Sequence, residues 1–135
     1  MKKVLIIDGQ GGKIGSAIIE QLKTQRPAQE LIALGTNSIA TSAMLRAGAH
    51  YGATGENPVI SACRDADIIV GPLGILVADA LLGEITPAMA AAVGQSRAQK
   101  ILLPVNKCNH FVVGLSEKPF GELIELTIKH ILSIM

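Results

Sequence analysis

The 135-residue chain has no Trp, one Tyr and two Phe. So few aromatic faces exclude a stacking platform for single-stranded bases. Net charge is only +1, so no global field recruits nucleic acid or an anionic membrane, and neither is expected as a partner. There are two cysteines, Cys63 and Cys108. That is too few for a disulfide framework or a thiolate zinc site, and no metal centre is expected. No apolar stretch approaches the roughly 18 residues of a membrane span. The apolar run that follows Met1-Lys2-Lys3 stops at Asp8, too soon for a secretory h-region. These absences together predict a cytoplasmic protein with reduced thiols.

What is present is aliphatic: 49% of residues are hydrophobic and 17% charged, a composition that predicts one compact domain spanning residues 1–135. Val4 to Ile7 reads as a strand buried on both faces. A helix follows from Ile14 to Lys23, with apolar residues at 14, 17, 18 and 22. Leu31 to Leu34 is a second strand. Asn37 or Ser38 caps a helix that Gly48 ends. A short third strand is expected around Ala49 to Tyr51. Asn57 and Pro58 suit the N-cap and first position of the next helix. Ile68 to Val70 centres a fourth strand, and Leu76 to Leu82 reads as helix, with Gly83 as its stop. Thr86 caps another helix, "KILLPV" is a fifth strand, "HFVVGL" a candidate sixth, and Pro119 opens a terminal helix. This alternation predicts a three-layer α/β architecture. It is Rossmann-like, an open, mostly parallel sheet of about five or six strands with helices on both faces.

The chemistry concentrates in "VLIIDGQGGKIG", where a buried strand runs through a glycine cluster into a helix. Free amides at a helix N-terminus attract anions, and glycine lets a phosphate approach closely. The strict G-x-G-x-x-G pattern fails at Ile14. G-x-x-G-x-x-G on Gly9, Gly12 and Gly15 fits, as does G-x-G-x-x-x-G on Gly9, Gly11 and Gly15, and both spacings resemble dinucleotide-binding Rossmann loops. A P-loop is excluded because Ile14 and Gly15 follow Lys13 where Ser or Thr should hold magnesium. Gly9, Gln10, Gly11, Gly12, Lys13, Ile14 and Gly15 are therefore the first candidate phosphate-binding residues. The unliganded reading of the same loop is a tight turn with close helix–sheet packing.

The end of the second strand is a second checkpoint. NAD-type sites usually carry Asp or Glu there for the ribose hydroxyls. Here "GTNS" offers Thr36, Asn37 and Ser38. With no acid to repel a 2′-phosphate, the expected cofactor is NADP or NAD, leaning to NADP; the plainer role of Asn37 or Ser38 is helix capping. Asp8 would repel a phosphate, and is expected instead to bond loop amides and fix the turn.

In such sheets, ligands gather outside the carboxyl ends of the strands. That edge should also carry "GATGEN" and Gly71, Pro72 and Gly74 of "GPLG", the latter beside a nicotinamide or simply forming a rigid turn. It should carry "NKCNH" too, where Lys107 is a candidate cation, Cys108 a nucleophile and His110 an acid or base, against the alternative of a polar surface loop.

The segments "IDGQGGKIG", "LGTN", "GATGEN", "DIIVGPLGI", "LLGEITPAMA" and "LLPVNKCN" resemble a family of short, uncharacterised bacterial proteins. That resemblance implies a Rossmann-like unit with a nucleotide site, and transfers no catalytic residue. Three functions compete. One is binding of a dinucleotide or another small phosphate-bearing ligand. A second is a small NAD(P)-dependent oxidoreductase completed by a homodimer, with the apolar terminal helix as interface. The third is a structural or interaction protein without nucleotide.

Overall fold

The computed structural model describes residues 1–105 and 109–135. Five strands, β1 (Val4–Asp8), β2 (Leu31–Gly35), β3 (Tyr51–Thr54), β4 (Ile68–Pro72) and β5 (Gln99–Leu103), form one sheet in the order β3-β2-β1-β4-β5. Every pairing is parallel, for example Val4 opposite Leu31 on one side and opposite Ile68 on the other. The helices are α1 (Lys13–Gln25), α2 (Ser38–Ala47), α3 (Glu56–Cys63), α4 (Pro87–Gln95) and α5 (Phe120–Ile134), with a short 3-10 turn at Leu73–Leu76.

The layers follow from the two-residue period of a strand. Val4 and Ile6 point into one core with Ile14, Ile18 and Leu22 of α1, Met44 of α2, and Ile124, Ile128 and Ile131 of α5. Leu5 and Ile7 point into the other, with Val59 and Cys63 of α3 and Met89, Ala90 and Val93 of α4. Strands covered on both sides must be apolar throughout, which is why β1 and β4 are continuous hydrophobic runs rather than alternating ones. Burial pushes the Cys63 thiol up to about 11, so it packs as a small apolar residue and is inert as a nucleophile.

The chain runs outward from β1 through β2 to β3, then crosses back to β4 on the opposite side of β1. The strand order therefore reverses between β1 and β4. At such a switch point the βα connections diverge and leave a crevice outside the strand ends.

Several elements differ from the sequence reading. Strand β3 is Tyr51–Thr54, displaced toward the turn residues, because it is an edge strand held mainly by ladder bonds to β2 rather than by its largely exposed side chains. Helix α3 starts at Glu56 with Gly55 as N-cap, so Asn57 and Pro58 lie inside its first turn. The expected helix over 76–82 does not form. The 3-10 turn is followed by turns in which Asp79, Leu81, Leu82 and Gly83 all have positive φ. "HFVVGL" makes no strand. Phe111 and Val113 are exposed, and the sheet ends at β5. The apolar face of α5 buries Ile124, Ile128 and Ile131 in the core, so its pattern is accounted for by packing within the chain.

Candidate functional site

The β1–α1 loop is held by Asp8. This side chain is buried, and its two carboxylate oxygens accept from the amides of Gly9 and Gly15, each at 2.8 Å. One acid thus clamps the first and last residues of the loop. Burial raises its pKa above the ordinary aspartate range, although the Gly15, Gly9 and Ile14 amides pull the other way.

Each glycine of the cluster has a different reason to be one. A Cβ on Gly9 would lie 2.6 Å from Thr36 Oγ1 and 2.8 Å from Glu84 Oε1. Gly12 is the N-cap of α1 at φ 73, and a Cβ there would lie 2.8 Å from the Ala40 carbonyl oxygen. At Gly15 a Cβ would collide with the Met44 side chain. Gly11 is the exception, exposed and with nothing within 4 Å of an added Cβ. Three of the four glycines are therefore required by packing, and only Gly11 faces open space.

Gln10 sits at φ 49, where side chains are disfavoured. Gln10→Gly should stabilise the protein by about 0.5–1 kcal/mol, read as a raised denaturation midpoint, because relief of the left-handed strain exceeds the added freedom of the unfolded chain.

The amides of this loop are mostly spoken for. Gly12 donates to the Gly9 carbonyl at 2.9 Å and Gln10 to Glu84 Oε1 at 2.8 Å. Among the described residues nothing accepts from the amides of Gly11 and Lys13. They stand at the positive end of α1. A cavity of ≈ 210 Å³ opens over them, lined by the loop from Asp8 to Gly11 and by Lys13 and Ile14. Pro72 from the end of β4, Leu81, Val105 and Phe120 complete its wall. It lies at the switch point. The Lys13 ammonium rests 5.0 Å from the centre of the Phe120 ring, a cation–π contact at the mouth.

Other expected residues fall in several places. Gly71 and Pro72 are buried at the end of β4, and a Cβ on Gly71 would strike the Ile7 carbonyl oxygen, so this glycine serves strand packing. Gly74 is buried in the 3-10 turn. Asn37 caps α2 through a 2.8 Å bond from the Ala40 amide, while its own amide nitrogen donates to the Gln10 carbonyl at 3.0 Å. Ser38 is exposed in the first turn of α2. His110 is exposed, and Lys107 and Cys108 lie outside the described residues.

The sequence reading missed Glu84. Its Oε1 accepts from the Gln10 amide, from Thr36 Oγ1 at 2.5 Å and from Asn37 Nδ2 at 2.9 Å. A carboxylate therefore does stand over "GTNS", and the ground for leaning to NADP over NAD is removed. Partial burial raises the Glu84 pKa, but its three donors outweigh that and leave it below the usual glutamate range. The side chain is ionised at neutral pH. The available signal was the length of the β4–α4 connection. Residues 73–86 far exceed the roughly two to six usual for a βα loop, and every such connection delivers its residues to the carboxyl edge of the sheet. Reading 76–82 as helix concealed it. Leu81 and Phe120 escaped for a related reason, since their apolar character reads as core.

A model described as a domain of unknown function, DUF3842, matches residues 3–135. The chain belongs to this family. No curated protein matches it. Among solved structures, it is similar to a dodecameric FMN-dependent UbiX-like decarboxylase from Escherichia coli O157:H7. That match has 18% identity, covers 94% of this chain and 75% of the other, and has a TM-score of 0.48. The chain presents a parallel α/β sheet with a walled crevice at its switch point. Lys13 is part of the crevice lining, and Glu84 stands on the β2 side of the loop, bonded to Gln10, Thr36 and Asn37.

Proposed function

We propose that this DUF3842 protein binds a nucleotide or related phosphate-bearing small molecule at the β1–α1 loop. The supporting observation is the pair of amides, Gly11 and Lys13, left without acceptors under an open cavity at the head of α1. A phosphate there would take both N–H groups, gain the helix dipole and draw the Lys13 ammonium off Phe120. Asp8 does not oppose this, because its oxygens are turned back onto Gly9 and Gly15. The cavity is smaller than the roughly 300–1,000 Å³ of ordinary ligand pockets. It suits a mononucleotide, or one end of a dinucleotide such as NAD or NADP with the remainder along the strand ends.

Calorimetric titration with AMP, ATP, NAD, NADP, their reduced forms and inorganic pyrophosphate tests this. Heat of binding for at least one of them is expected, and Gly11→Val should abolish it while the fold persists. No binding at millimolar concentration, or undiminished binding by the valine variant, would refute the proposal.

A further inference from the structure

Glu84 is fastened as though to present one oxygen. Its Oε1 is engaged by three donors from two separate elements, the Gln10 amide of the β1–α1 loop and the Thr36 and Asn37 side chains beyond β2. No described group bonds Oε2. The connection that carries Glu84 is rigid although irregular. Asp79 donates to the Ile85 carbonyl at 2.7 Å, Ile85 to Ala80 at 3.1 Å and Glu84 to Leu81 at 3.1 Å, and Ala80, Leu81 and Ile85 are buried. Asp79, Leu81 and Leu82 hold φ values of 56–66°, a costly backbone that persists only where its surroundings over-determine it. The acid sits at the tip of β2 against Gly9 and Gln10; these two line the cavity, and Glu84 stands just outside its lining, on the β2 side of the loop.

We propose that Glu84 supplies, from the β4–α4 connection, the ribose-diol acceptor that the end of β2 lacks, so that the site takes nucleotides with a free 2′-hydroxyl and rejects those with a 2′-phosphate. The assignment rests on the nucleotide reading of the loop. Oε1 holds the side chain in place, and Oε2 accepts from the ribose hydroxyl. The phosphate lies toward Gly11 and Lys13, so the ligand reaches over the loop, with its neutral diol on the Glu84 side and its anion in the cavity. A 2′-phosphate would meet an ionised carboxylate that cannot swing away without breaking three hydrogen bonds.

Titration with AMP, 2′-deoxy-AMP, adenosine 2′,5′-bisphosphate and inorganic pyrophosphate separates the outcomes. The wild-type protein should bind AMP about 10- to 100-fold more tightly than either of the other nucleotides, the range for a hydrogen bond to a charged group. In Glu84→Gln, which keeps an oxygen for the three anchoring donors, the 2′-phosphate should bind more tightly and its disadvantage should shrink, with thermal melting confirming the fold. A wild-type preference for the 2′-phosphate, or no advantage of AMP over its 2′-deoxy analogue, would overturn the diol assignment. So would an equal strengthening of all ligands in Glu84→Gln, which would make the acid a plug rather than an acceptor. Pyrophosphate binding in any of those cases would leave the phosphate site standing; if nothing binds, both readings fall.

Discussion

Gly12→Val should cost about 3–5 kcal/mol of stability, while Gly11→Val, one residue earlier, should cost less than about 0.5 kcal/mol. The first figure sums a β-branched residue forced into the left-handed region and overpacking against a neighbour that cannot yield. Gly12 is at φ 73, and the obstruction is backbone, the Ala40 carbonyl oxygen at 2.8 Å and its Cα at 3.0 Å. Relief would require α1 and α2 to separate. Gly11 has open space around an added Cβ and no φ in the left-handed region, so its substitution behaves as a surface change. Urea denaturation of the two variants measures the contrast. Equal losses would mean that the loop is not built as described. The pair also separates packing from binding, because among the four glycines only Gly11 can take a side chain without meeting a neighbour. A glycine motif read from sequence treats these positions as equivalent. In the structure they divide into walls and one window.

The sheet and its layers were legible because they depend on local, additive signals. The four-residue apolar run before Asp8 is needed for a strand covered on both faces, and Thr86-Pro87 preceding a helical pattern reads as a helix start. The failures have a common cause. Leu76, Ala80, Leu81 and Ile85 are apolar at a spacing that fits a helix, yet Ala80, Leu81 and Ile85 are buried on a chain of turns. Periodicity reports which residues are buried, and not the backbone that buries them. Glu84 was invisible for a second reason. Its partners, Gln10, Thr36 and Asn37, lie 74, 48 and 47 residues away, and no local rule joins an acid in one βα connection to the hydroxyl in another. Asp8 was legible because its partners are one and seven residues away, within the turn it organises.

Asp8→Ala should destabilise the protein by about 2–4 kcal/mol, since it removes the acceptor from the buried amides of Gly9 and Gly15. The charge-assisted bonds that are lost are the strong kind. The loss is tempered because removing Asp8 also removes a buried charge, whose cost is recorded in its raised pKa. That direction fixes the pH dependence. A carboxyl whose pKa is higher folded than unfolded binds its proton more tightly in the native state. Its contribution to stability is full below the ordinary aspartate range and falls as pH rises through the folded value. Stability of the wild-type protein relative to Asp8→Asn, which has no proton to lose, should therefore decline from acidic to neutral pH. Glu84 runs the other way, since its lowered pKa gives a contribution that is present at neutral pH and lost on acidification. It is common to both proteins in the comparison and cancels. Denaturant midpoints measured across that range check the sign, and a stability difference that grows with pH would contradict it. The two acids thus divide the work of the loop. Asp8 shapes it from beneath, against the cost of its own burial, and Glu84 ties it to the end of β2.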